Sequence, residues 1–202
     1  MPVELKGTAA EICQRFEPGE AARRLLTSTL SPKAYLKLLD AHHLFADGIR
    51  FVAYALPCRE AIWWGCLCAW SVYRPKPPEK VALALNALVA WVQEPTEEGR
   101  RTAEAMIEVA GVDTPAGGLA AAVFLGGDNL APPKQPEVKP KPFLWSKVLA
   151  GAVTLAANLG PPEKKKQRER QFLTLADEVI EMRTHWDPRT ARGEMMVRGR
   201  RR

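Results

Sequence analysis

The sequence predicts an all-α protein, a compact multi-helix domain, on three observations. Apolar residues recur at helical spacing through most of the chain, and no stretch of useful length alternates with the period of a strand. Helix-start signals recur as well: Ser31-Pro32, Thr96 before Glu97-Glu98, and Thr114-Pro115 each put a capping hydroxyl just before a proline or an acid. The third observation is Leu56–Tyr73, LPCREAIWWGCLCAWSVY, an apolar run with Trp63, Trp64 and Trp70 that only Gly65 and Ser71 interrupt after Ala61. A helix apolar on every side must be wrapped by other helices or by lipid. Ala61–Tyr73 rises about 20 Å, short of the roughly 30 Å of a bilayer core, so it is expected to be a buried central helix and no transmembrane segment is expected.

The other elements follow in order. Thr8 with Glu11 makes a capping box that opens a helix to about Phe16, and Glu17-Pro18-Gly19 stops it. Glu20–Leu26 is a second helical piece. Ser31-Pro32 opens a helix that ends near His42, and Leu44–Leu56 leads into the central helix, with Pro57 at its first position. Arg74-Pro75-Lys76-Pro77-Pro78 is a hard break. Glu79–Val92 has Val81, Leu85, Leu88, Val89 and Val92 on one face, and Pro95 ends it. Thr96 caps Glu97–Ala110, which Gly111 terminates. Ala116–Leu125 is rich in Ala and Gly and is expected to pack tightly. Ala131–Pro142 holds Pro132, Pro133, Pro136, Pro140 and Pro142, a density that favours extended backbone. It reads as a strap over the helices, anchored by Val138 and Phe143. Helices over Phe143–Leu159 and Glu163–Arg183 complete a single helical domain, residues 1–183.

Residues 184–202 form a basic tail with almost nothing to bury, expected to be mobile unless a partner orders it. From Arg189 onward it carries about +5 of the formal net charge of +6. The body is thus nearly neutral, which argues against a broad nucleic-acid-binding face. The length of 202 residues and a hydrophobic content of 47% allow a core that needs no staples. No secretory h-region precedes the first helix, and Cys66 and Cys68 point to opposite sides of theirs. These features predict a cytoplasmic protein with reduced thiols.

Two stretches, Leu56–Trp70 (LPCREAIWWGCLCAW) and Asp113–Pro133 (DTPAGGLAAAVFLGGDNLAPP), resemble an uncharacterised bacterial family of small helical proteins. The similarity runs over roughly Leu25 to Ile180. The resemblance implies a setting in type VI secretion gene neighbourhoods and brings no catalytic residues with it. The arginine-rich tail departs from the family pattern.

Each feature with possible chemistry has a structural reading beside it. His42-His43 are adjacent, so their rings diverge by about 100° and make no metal pair on one helix face. A polar helix end with one ring against a neighbour explains them better. Cys58 stands at a helix start, where the dipole lowers a thiol pKa, but core packing is the better account. Gly117-Gly118 and Gly126-Gly127 lack the strand and the cation of a phosphate loop, so close packing and helix termination explain them. Lys164-Lys165-Lys166-Gln167-Arg168 reads as a solvated face.

The expectation is therefore a non-enzymatic adaptor or chaperone with no cofactor or metal, binding another protein, a secretion component or effector by resemblance. Its expected partner-binding residues are Pro132, Pro133, Pro136, Val138, Pro140 and Phe143 of the strap and Arg189, Arg192, Met195, Met196, Arg198, Arg200, Arg201 and Arg202 of the tail. The tail mixes charge with an apolar patch, which suits a docking peptide. The alternatives are nucleic-acid binding through the tail and Lys164–Arg170, and a small-molecule or enzymatic pocket lined by Trp63, Trp64 or Trp70.

Overall fold

The computed structural model describes residues 2–132 and 134–184. Among them the regular structure is entirely helical: α1 (Ala9–Cys13), α2 (Glu20–Arg24), α3 (Pro32–Ala41), α4 (Phe45–Ala55), α5 (Cys58–Tyr73), α6 (Glu79–Gln93), α7 (Glu97–Ala110), α8 (Pro115–Leu125), α9 (Leu144–Asn158) and α10 (Lys165–Ile180). The sequence capping devices operate as read. The Thr8 hydroxyl accepts from the Glu11 N–H at 3.3 Å, while the Glu11 carboxylate accepts from the Thr8 N–H at 2.8 Å. Ser31, Thr96 and Thr114 each accept from the backbone N–H three residues on, satisfying donors that the helix itself leaves open.

Helix α5 is the centre of the molecule. Every residue from Ala61 to Trp70 is buried, and α6, α8, α9 and α10 pack around it. Two of the three buried indole N–H groups find acceptors, and that of Trp70 has none among the described residues. Trp64 donates to the Phe172 carbonyl in α10 at 2.8 Å, and Trp63 donates to the Thr184 hydroxyl at 3.3 Å. Gly65 lets α5 approach its neighbours. A Cβ there would meet the side chains of Leu119 in α8 and Leu149 in α9. Gly118 of α8 faces the Ala152 Cβ of α9 in the same way, which is why the Ala- and Gly-rich α8 packs closely. Helix α4 lies against α9 and α10, and both α1 and α3 pack on α4. The core formed this way is one contiguous cluster running from Ala9 to Ile180.

Several boundaries differ from the sequence reading, and the last helix ends at Ile180, short of Arg183. Pro57 is the N-cap of α5 in extended backbone, and Cys58 is the first helical residue. Helix α1 stops at Cys13 and α2 at Arg24, each shorter than its pattern, although Phe16, Leu25 and Leu26 still pack on the core. The last helix is preceded by a 3₁₀ turn at Pro162–Lys164 and begins at Lys165. There the Arg168 guanidinium donates to the carbonyls of Ala157 and Pro161, at 2.8 and 3.0 Å. Arg168 is thus a joint between α9 and α10, and Lys165 pairs with Glu169 at 3.9 Å, so two of the basic run's cations serve the fold.

Candidate functional site

The Pro-rich strap is fixed at its base by side chains from α7. Arg100, only 4% exposed, donates to the Phe124 carbonyl at 2.6 Å and to the Asn129 carbonyl at 2.8 Å. Arg101 reaches the carbonyls of Leu130 and Ala131 at 3.2 and 2.6 Å. Glu97 pairs with both guanidiniums, at 2.6 and 2.9 Å. Its hydrogen bond from Arg100, more than that from Arg101, pulls its carboxyl below the usual range. Gly127 leaves the room that Arg100 occupies. Asn129 closes the loop itself, its side-chain oxygen accepting from the N–H groups of Ala131 and Val138, both at 2.9 Å. The Leu130 N–H donates to the Val138 carbonyl at 2.8 Å.

Of the strap residues expected to bind a partner, Pro132, Pro136 and Val138 are exposed and Pro140 is half-buried. Val138 anchors by its backbone alone, since its side chain is 53% exposed, which corrects its expected apolar anchoring. Phe143 does anchor. It caps α9 in the left-handed region at φ 58 and lies 6.3 Å from the Tyr54 ring. The Arg15 guanidinium stands 4.8 Å above the Phe143 ring and donates to the Tyr54 carbonyl at 3.2 Å. Pro133, Arg189, Arg192, Met195, Met196, Arg198, Arg200, Arg201 and Arg202 lie outside the described residues.

Phe143 forms a shelf beside a groove of about 530 Å³ between α1, α4 and α9. Phe16 and Tyr54, stacked with centroids 4.9 Å apart, make one wall. Ala150, Gly151 and Thr154 of α9 line it, with Arg15, Arg50 and Lys147 supplying cations. Gly151 is the informative residue. It sits in the middle of α9, where glycine costs about 1 kcal/mol relative to alanine. A Cβ built on it meets nothing within 4 Å, so no neighbour in the fold requires the glycine. Its missing side chain leaves the groove open.

A larger depression, about 730 Å³, lies between α3 and α10. Its rim charges answer one another: Lys33 with Glu181 at 2.5 Å, Arg170 with Asp40 at 3.4 Å, and Arg183 with Asp177. Lys37 is the one lining cation with no ion pair among the described residues.

The other candidates resolve into packing. The His43 ring meets the Phe45 ring edge-on at 5.6 Å, and His42 is the exposed C-cap of α3. Cys58 is half-buried, and burial, with Glu60 adding to it, pushes its thiol up to about 12. The helix dipole therefore loses to desolvation there, and Cys58 is a poor nucleophile. Trp63, Trp64 and Trp70 are at most 6% exposed and line neither groove. Gly117 clears the Gly111 carbonyl, and Gly126 sits against the Cys58 sulfur. Among the described residues no cluster of three His, Cys, Asp or Glu side chains is placed to hold a metal, and no helix is long and apolar enough to cross a membrane.

Sequence reasoning missed the groove. The signal that would have found it is a polar stripe along an Ala-rich helix: Lys147, Gly151, Thr154 and Asn158 at i, i+4, i+7 and i+11.

The fold and the groove together describe an all-helical protein with an aromatic, cation-lined surface groove. The pattern of a family of unknown function, DUF6931, matches residues 35–180, and the chain belongs to that family. No curated protein matches the chain, and no solved structure matches it.

Proposed function

We propose that this chain is a non-enzymatic adaptor or chaperone that binds a segment of another protein in the groove over Gly151. The supporting observation is the central α9 glycine that no packing contact requires, set between an aromatic wall and exposed cations. Aromatic and arginine side chains beside an open apolar floor are the materials of protein-docking hot spots. A place in type VI secretion belongs to this proposal and rests on the family resemblance of Leu56–Trp70 and Asp113–Pro133, while a place in the cytoplasm rests on the reading of the cysteines as reduced thiols.

Gly151→Leu tests it. The substitution puts a side chain into the groove, its Cβ meets nothing within 4 Å, and helix propensity improves by roughly 0.5–1 kcal/mol, so the variant is expected to fold, which a circular-dichroism melt checks. Full-length wild-type and Gly151→Leu baits are used for affinity capture from the native host, and recovered proteins are quantified by mass spectrometry. A secretion component or effector recovered by the wild type and lost by the variant is the expected result. Equal recovery by both baits, or recovery of nucleic acid in place of protein, contradicts the proposal.

A further inference from the structure

We infer that the segment taken by this groove is acidic, presenting carboxylates to Arg15 and Lys147 and one apolar side chain to the floor over Gly151. This rests on the docking reading above and adds the partner's chemistry. Arg50 is already held by Asp47 at 2.6 Å and by the Glu17 carbonyl at 3.2 Å. The carboxylate of Glu17, the one acid lining the groove, is paired with Arg23 at 3.3 Å. Arg15 has no carboxylate partner among the described residues. It stacks on Phe143 and gives one N–H to the Tyr54 carbonyl, and a guanidinium carries five donors in a fork that fits a carboxylate. Lys147 is exposed and has no ion pair among the described residues. It also sits in the first turn of α9, where the helix dipole favours an anion over a cation. Two unanswered cations flank an apolar floor of Ala150 and Gly151. That pattern fits a carboxylate–apolar–carboxylate segment better than a phosphate backbone, which would call for a longer cationic track.

The test is a fluorescence-anisotropy titration of the full chain with labelled 12-residue peptides. One peptide is rich in Asp and Glu around a central Phe. Its twin replaces every acid by the corresponding amide, and an oligothymidine of the same length is a third probe. The proteins are wild type, Lys147→Glu and Gly151→Leu. The acidic peptide is expected to bind wild type at least about tenfold more tightly than its amide twin, the scale of one charged hydrogen bond. Lys147→Glu is expected to weaken binding by a similar factor, and added salt weakens it further. Gly151→Leu changes no charge, so loss of binding there assigns the peptide to the groove and not to the arginine-rich tail.

Equal binding of the amide twin overturns the acidic assignment while the docking reading stands. Binding of the acidic peptide that Gly151→Leu leaves unchanged, or no binding to wild type, overturns the assignment too. Tighter oligothymidine binding that Gly151→Leu abolishes overturns both the assignment and the docking reading.

Discussion

At the scale of the residue, the same physical term decides the fate of every thiol. Cys13, Cys58 and Cys66 are pushed by burial from an ordinary value of 9.0 to about 11, 12 and 12, and Cys68 moves the same way. The stability consequence has a definite sign. An unfolded thiol releases its proton near pH 9.0 while the folded one keeps it, so above that pH the native state binds more protons. The contribution is present in full below about pH 9 and is lost as pH rises toward the folded values. The urea midpoint is therefore predicted to fall between about pH 8 and pH 10, with iodoacetamide labelling of the thiols tracking unfolding. A midpoint that holds or rises, or rapid labelling of the native chain at pH 8, would contradict this. Cys58 packs as the sequence reading expected, though the neighbour that buries it was not legible. Its place at a helix start was legible, but its burial against Gly126 was not, because α8 reaches it only through the tertiary fold.

At the scale of the element, α1, α3, α7 and α8 were legible at their starts because their caps are local chemistry. Ser31, Thr96 and Thr114 bond the backbone three residues away, so a short window holds all the information needed. The strap was legible as irregular backbone but not in how it is held. An arginine in a surface helix ordinarily reads as solvated, and Arg100 is instead buried as the acceptor-seeking end of a latch. Arg100→Ala leaves the carbonyls of Phe124 and Asn129 without that donor and opens space beside Gly127. It is predicted to destabilise the chain by about 2–3 kcal/mol, measured by chemical denaturation. Amide exchange is predicted to rise selectively at Ala131 and Val138, whose N–H groups bond Asn129. A loss under about 0.5 kcal/mol with unchanged exchange would show that the latch is a surface pairing.

At the scale of the whole molecule, the wrapped Trp-rich α5 was legible because an all-round apolar helix has few possible environments. The groove was not. It needs Arg15 and Phe16 after α1, Tyr54 on α4, and Phe143 and Gly151 at α9 to meet, and no periodicity reports that meeting. The molecule's charge follows the same division. The sequence places most of its excess beyond Arg189, while the groove's two unanswered cations matter through position and not number. Site-specific photo-crosslinking reports whether a partner segment lies in this groove. A benzoyl-phenylalanine at Glu17, an exposed position on the groove, is compared in the native host with one at Leu83, which is 53% exposed on α6. The account predicts one discrete protein adduct from position 17, none from position 83, and loss of the adduct when Gly151 is also changed to Leu. No adduct from position 17, or one that survives the filled groove, would contradict it.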